Sequence, residues 1–173
     1  MDVRYINPFI ISIKDVFSTM AGVEVQVLKP KMKAENSSSV GVTGVIGLSG
    51  DATGACLLCF PTDVACKLAS SFSGEEMSES HPDFADAIGE LANMVAGGAK
   101  AQFDGLAVSI SLPSVVIGDP HEVIVTGAPS GTPRLVIPCQ TELGQFHVEV
   151  AMVVGNDAGQ QRTNAANAAG ATS

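Results

Sequence analysis

Apolar side chains recur at helical spacing in three segments of the chain. The first follows Asn7-Pro8, an asparagine cap and a proline that are typical of a helix start, and Gly22 is its predicted stop. A shorter helix is predicted to begin at Thr62-Asp63. The third is predicted to run from Pro82-Asp83 to Asp104-Gly105. The two long helices each have a single apolar stripe, so one face of each is expected to be buried.

Strand-like runs account for most of the remaining apolar positions. They are residues 23–28, 40–48, 54–60, 109–117, 122–126, 134–140 and 145–154. The second and third runs flank a turn-forming segment, 49–53, and predict a hairpin. Pro113 interrupts the fourth run, which predicts an edge strand or a bulge. The polar segment 29–39 is expected to be an exposed loop.

The order of these elements predicts the fold class. It lacks the regular alternation of strand and helix that builds a parallel sheet, and it favours an α+β fold. We expect a mostly antiparallel or mixed sheet with the two long helices packed on one face. One domain is predicted over residues 1–154. Residues 155–173 contain no large apolar side chain, which predicts a disordered C-terminal tail.

Charge and length narrow the classes of partner and the location. Acidic residues outnumber basic residues 18 to 9, and the formal net charge is -9. That charge disfavours nucleic acid and anionic membranes as partners. The apolar runs are of strand length, far below the roughly 20 residues that a membrane span needs. The start of the chain lacks the pattern of a signal peptide, so a cytoplasmic location is expected.

Several common chemistries find little support in the chain. Cys56 and Cys59 lie in a strand-like run, where positions three apart point to opposite faces, so we expect buried reduced thiols and no metal site. The glycine-rich hairpin lacks the Gly-Lys-Ser/Thr triplet of a phosphate loop, and the chain has no Gly-x-Ser-x-Gly nucleophile turn. The histidines are scattered singly and are expected to be structural or on the surface.

One polar row on the third predicted helix is the best candidate for a site. Glu90 and Asn93 are three positions apart and so share one helix face, near Asp86, Gly97 and Lys100. The apolar stripe on the opposite side consists of Phe84, Ile88, Leu91, Ala92, Val95, Ala99 and Phe103. A solvated helix face is the ordinary interpretation of such a row. Asparagine is nevertheless a poor helix former, which favours a functional role for it, and a bare glycine would let a partner approach closely.

A resemblance to a known family rests on the pattern Asp86-x-x-x-Glu90-x-x-Asn93 within DAIGELANMVAGGAK, followed by SISLPSVVIG. The pattern resembles the signature of the CheC/CheX/FliY phosphatases of bacterial chemotaxis. The hairpin GVIGLSGDATG and the start NPFIISIKDVFSTM are similar to the CheX branch in particular, and so is the occurrence of a single Glu-x-x-Asn. The resemblance covers residues 4–154. Pro113 follows Asn93 somewhat sooner than the family pattern would place it.

The resemblance implies an aspartyl-phosphate phosphatase that acts on the phosphorylated response regulator CheY. Asn93 would orient the attacking water, Glu90 would pair with a lysine of the regulator, and Asp86, Gly97 and Lys100 would support binding. Mg²⁺ would belong to the regulator, and this chain would need no metal or cofactor of its own. A homodimer is expected, with the hairpin at 40–60 as its suggested edge. A non-catalytic module that docks a receiver domain and a structural subunit of a larger assembly remain as alternatives.

Overall fold

The computed structural model describes residues 3–34, 41–118, 122–125 and 132–155. The elements in these ranges are α1 (Val3–Met20), β1 (Gln26–Val27), β2 (Lys31–Met32), β3 (Val42–Gly50), β4 (Ala52–Phe60), α2 (Thr62–Ser73), α3 (Phe84–Lys100), β5 (Val108–Ile110), β6 (Ser114–Ile117), β7 (Arg134–Thr141) and β8 (Gly144–Val154). The strands form one sheet in the order β1-β7-β8-β4-β3-β5, with β2 beside β7 and β6 beside β3. All of these pairs are antiparallel, which confirms the predicted α+β class.

The helices cover one face of the sheet. The main core joins buried side chains of all three helices to alternate residues of the long strands. On β4 the residues in that core are Ala52, Cys56, Leu58 and Phe60. Those in a separate cluster, on the opposite face, are Ala55, Leu57 and Cys59. The prediction that Cys56 and Cys59 face opposite sides is therefore confirmed, and neither thiol is part of a disulfide.

Small residues seat α3 tightly against its neighbours. A Cβ added at Gly44 of β3 would lie 2.9 Å from the Cβ of Ala92, so this glycine allows the helix to lie directly on the strand. Gly98 makes a similarly close approach to Ser12 of α1. The Ser12 hydroxyl donates a hydrogen bond of 2.8 Å to the carbonyl of Val95. These contacts fix the rotation of α3 about its axis, and with it the face that the helix presents outward.

The helix boundaries differ from the predicted ones in two places. α1 begins at Val3, and Pro8 lies inside it, so the predicted cap at Asn7 is wrong. The buried stripe reaches back to Ile6, and this packing outweighs the one backbone hydrogen bond that a proline removes. α3 ends at Lys100, short of the predicted stop, although Phe103 beyond it is still buried. Every other predicted stripe residue of α3 is buried as well.

Most of the strand predictions are confirmed, and one is wrong. Residues 122–125 contain no strand; Val123 and Val125 pack on the helix-free face of the sheet, and Arg134 Nη2 donates a hydrogen bond of 2.8 Å to the Val123 carbonyl. The run at 23–28 shrinks to β1, and β2 occupies two residues of the predicted loop, whose positions 35–39 lie outside the described residues. No helix in the described ranges is long and apolar enough to cross a membrane.

Two predictions concern the edges and the end of the chain. The hairpin of β3 and β4 has a tighter turn than expected, at Asp51, and it lies in the middle of the sheet. The suggestion that this hairpin is a free edge is therefore wrong, because both of its strands already have partners on their outer sides. The predicted tail lies outside the described residues apart from Gly155, whose N–H donates to the Asp51 carbonyl.

Candidate functional site

The polar row of α3 faces outward as the helical periodicity predicts. Asp86, Glu90 and Lys100 are exposed, and Asn93 and Gly97 are half-buried. The structure therefore brings all five predicted site residues to one face of a single rigid helix. Because the opposite face is locked into the core, the direction in which these side chains project is determined by packing.

Glu90 and Asn93 form a loosely paired carboxylate and carboxamide. The Asn93 Nδ2 atom lies 3.5 Å from Glu90 Oε2, a long hydrogen bond that holds neither group strongly. Both side chains therefore keep capacity for outside partners. A carboxamide can accept from one group and donate to another at the same time, whereas the carboxylate offers charge and acceptors only.

A groove of about 460 Å³ opens beside this pair. It is lined by Ala85, Asp86, Gly89, Glu90, Pro113 and Val115. Gly89 allows its second wall to approach, because a Cβ there would already lie 3.4 Å from the ring of Pro113 and 3.5 Å from Val115 Cγ2. The groove thus has an acidic wall from α3 and an apolar wall from Pro113 and from Val115 of β6.

The apolar wall belongs to an edge strand that is broken by a bulge. β5 and β6 both pair with β3, at opposite ends of it, and 111–113 separates them. This arrangement confirms the edge position and the break that Pro113 predicts. Sequence reasoning missed that the bulge lies directly beside α3, since the proline indicates where pairing stops and gives no information on what packs there.

Gly97 is the one residue of the row without a side chain, although its surroundings leave room for one. A Cβ at this position would meet nothing nearer than Ile110 Cδ1, at 3.8 Å, which is an ordinary contact. Neither the helix nor its neighbours within the described residues therefore require a glycine at 97. This is consistent with the expectation that its small size serves something outside the fold.

The match to known proteins covers the core of this architecture and its outward helix face. Residues 42–140 match the family model described as Chemotaxis phosphatase CheX, and the match includes Glu90, Asn93 and the bulge. The chain belongs to this family. It is 31% identical, over 121 residues, to the CheY-P phosphatase CheX of Thermotoga maritima, a match that covers 68% of this chain and 78% of that protein.

Solved structures extend the likeness to almost the whole fold. A CheC-like superfamily protein from Shewanella sp. PV-4 is 29% identical with a TM-score of 0.77, covering 88% of this chain and 99% of the other. CheX in a CheX-CheY-BeF3-Mg²⁺ complex from Borrelia burgdorferi shares the fold at 22% identity and a TM-score of 0.70, covering 86% and 97%. These likenesses confirm the CheC-like α+β fold.

A second cluster of polar side chains lies on the helix-free face of the sheet, around Glu149. Only 1% of this carboxylate is exposed, and it accepts hydrogen bonds from Lys33 at 2.7 and 3.0 Å and from Arg134 at 3.1 Å. His147 Nε2 lies 3.2 Å from the same carboxylate. A ligand atom of Cys59 also lies within 4.8 Å of those of His147 and Glu149. Two cations already neutralise Glu149, however, which disfavours a metal ion among these groups.

The contacts in this cluster shift two pKa values in opposite directions. Burial by itself would raise the pKa of Glu149, but hydrogen bonds from His147 and Lys33 outweigh it and hold that pKa at about 2. Burial would likewise lower the pKa of His147, but its hydrogen bonds to Cys59 and Glu149 raise that pKa to about 9. His147 is thus a structural histidine with named partners, as expected for a histidine that stands alone in the sequence.

Proposed function

We propose that this chain removes the phosphoryl group from the aspartyl phosphate of a CheY-type response regulator. The observation that carries the proposal is the outward pair Glu90 and Asn93 on α3 in a member of the CheX family. The Thermotoga relative is named a CheY-P phosphatase, and the Borrelia relative forms a complex with CheY in the presence of BeF3, a mimic of the phosphoryl group. Both names support a receiver domain as the partner.

Asn93 is the catalytic residue in this proposal. Its amide oxygen accepts a hydrogen bond from a water molecule and aims the water oxygen at phosphorus, in line with the bond to the aspartate oxygen. The new P–O bond forms as the bond to the aspartate breaks, which releases inorganic phosphate and restores the carboxylate. Because a carboxylate is a good leaving group, orientation of the water supplies most of what is needed, and a residue with a pKa near 7 is not required.

Glu90 binds the regulator next to the reaction. Its carboxylate pairs with the lysine in the regulator's active site, and Asp86, one turn earlier, adds negative charge to the same wall of the groove. Gly97 and Lys100 extend the surface toward the end of the helix. Mg²⁺ is carried by the acidic pocket of the regulator, where it neutralises phosphoryl charge, and this chain contributes no metal ligand.

The same proposal includes location and assembly. None of the four cysteines, Cys56, Cys59, Cys66 and Cys139, is in a disulfide, which fits the reducing cytoplasm, where a receiver domain would be met. A homodimer is proposed because an antiparallel sheet with open edges can be extended by a second copy. Two outward α3 faces would then act independently.

A phosphate-release assay beside a binding titration tests the proposed activity. A CheY-type receiver, phosphorylated with a small-molecule phosphodonor, should lose phosphate faster when the chain is added. Asn93→Ala should reduce that acceleration by on the order of 100-fold, because the water is no longer oriented. Circular dichroism should show an unchanged fold, since Asn93 contributes no core volume.

The outcomes of this assay separate the alternatives. Acceleration that survives Asn93→Ala would contradict the catalytic assignment. Tight binding of the receiver loaded with BeF3 and Mg²⁺, without any acceleration, would identify a docking module. Failure of both binding and acceleration would leave a structural role as the better interpretation.

A further inference from the structure

We propose that Leu112 is the apolar anchor that holds the response regulator against α3, an inference that rests on the proposed function. Leu112 is 88% exposed, more than any other large hydrophobic side chain in the described ranges. Exposing a leucine to this extent forgoes the stabilisation that its burial would give. Such a residue at a functional surface is typical of an interface anchor.

The position of Leu112 follows from its neighbours in the bulge. Pro113 packs against Gly89, and the Ile110 side chain would lie 3.8 Å from a Cβ at Gly97. The bulge therefore runs alongside α3 between helix positions 97 and 89. Leu112, one residue before Pro113, lies level with the turn of α3 that carries Glu90 and Asn93.

The backbone that carries Leu112 is held in place on both sides. Ser111 N–H donates to the Gly47 carbonyl at 2.9 Å, and Gly47 N–H donates to Ser111 Oγ at 2.9 Å. The Ser111 hydroxyl in turn donates to the Leu112 carbonyl at 2.7 Å. On the other side, the Pro113 ring fixes its own backbone and packs on α3. Little backbone entropy therefore remains to be lost when a partner covers this side chain.

The charge of the surface around Leu112 indicates which partner would cover this side chain. Asp86 and Glu90 form the acidic wall of the groove, while Leu112 stands beside its apolar wall. The fitting partner therefore presents a basic side chain next to an apolar recess, and a receiver whose lysine pairs with Glu90 meets the first condition. A second copy of this chain does not, because a two-fold contact through this face would bring the acidic wall of each copy toward that of the other.

Steady-state phosphate release at increasing concentrations of phosphorylated receiver tests the anchor. Leu112→Ala should raise KM by about tenfold or more, the loss expected for an interface anchor, and leave kcat within about twofold. Leu112→Asp should raise KM further, since it puts a charge into an apolar recess. Ile124→Ala is the matched control. Ile124 is 75% exposed, and its neighbours Val123 and Val125 pack on the helix-free face. The KM of the Ile124→Ala protein should therefore equal that of the wild type.

These measurements can refute the proposed role of Leu112 without refuting the proposed phosphatase activity. An active wild type whose KM is unchanged in both Leu112 variants would refute the inference and leave the phosphatase intact. A shift of mass in light scattering, with KM unchanged, would assign Leu112 to contact with a second copy and refute it as well. An inactive, non-binding wild type would instead refute the proposed function.

Discussion

The proposed mechanism gives Glu90 and Asn93 separable tasks, although they lie on adjacent turns of one helix. In it the carboxylate supplies charge, which acts on the affinity for the regulator, and the carboxamide orients the water, which acts on the transition state. Their 3.5 Å contact is too long to make one side chain depend on the other. Substitution at 90 should therefore act mainly on binding, and substitution at 93 mainly on turnover.

Glu90→Lys should weaken binding of the regulator more than it slows the chemical step. The change would replace the proposed attraction to the regulator's lysine with repulsion, and loss of one member of a desolvated charge pair typically costs roughly 2 to 5 kcal/mol. A titration against the receiver loaded with BeF3 and Mg²⁺ measures the effect. Glu142→Lys, an equal charge change at the exposed turn between β7 and β8, is the control. Equal affinities for the two variants would remove Glu90 from the interface.

α3 shows which parts of an element its sequence can predict. The buried stripe and the outward row both depend on spacing along one helix, and both are confirmed. The bulge beside the helix depends on pairing between β3 and residues about 65 positions later, as with Gly47 and Ser111, and local pattern has no access to that. The strand predicted at 122–126 is wrong for a related reason. Alternating valines resemble a strand, but residues 122–125 cover the face of a sheet and pair with no strand.

Gly97→Ala should have opposite effects on the stability of the fold and on binding of the regulator. The added methyl group would lie 3.8 Å from Ile110, and alanine is favoured over glycine in a helix by up to about 1 kcal/mol. We therefore expect a higher urea midpoint together with a higher KM for the phosphorylated receiver. Gly44→Ala is the contrasting control, because its Cβ would lie 2.9 Å from that of Ala92 and should destabilise the fold. A stabilised Gly97→Ala protein with unchanged KM would show that the partner does not approach this position.

At the scale of the whole molecule, the Glu149 cluster makes stability depend on pH. The pKa of Glu149 is lowered from 4.5 to about 2, so its contribution is full above pH 4.5 and is lost as pH falls toward 2. The pKa of His147 is raised from 6.5 to about 9, so its contribution is full below pH 6.5 and is lost as pH rises through 9. These two groups favour maximum stability between about pH 4.5 and 6.5.

Glu149→Gln should lower the free energy of unfolding and weaken the dependence of that free energy on pH in the acid range. Removing the carboxylate leaves Lys33 and Arg134 largely buried without their counter-charge, and breaking such a pair costs about 3 kcal/mol. Urea denaturation from pH 3 to pH 7 measures both effects, with the exposed Glu142→Gln as the control. If the free energy of unfolding fell with decreasing pH as steeply as in the wild type, other carboxylates would govern acid unfolding.

The two edges of the sheet differ in their capacity to receive a second copy. The edge formed by β5 and β6 is broken by the bulge at Pro113, which lacks a backbone donor, and its face lies beside α3. The other edge consists of the two-residue strands β1 and β2 beside β7, where Leu28 is 41% and Met32 is 57% exposed. Apolar side chains next to short, incompletely paired strands favour this edge as the contact of the proposed dimer.

Light scattering at micromolar concentration should accordingly give about twice the chain mass of 17.7 kDa. Met32→Glu should shift the protein toward the monomer, because it places a charge in the apolar part of the proposed contact. Phosphate release per chain should be unchanged, since α3 packs on the part of the sheet formed by β3, β4, β5 and β6. A wild-type mass of one chain would refute the dimer. A Met32→Glu protein that remains dimeric would place the contact elsewhere on the molecule, because a buried glutamate without a partner would not be tolerated there.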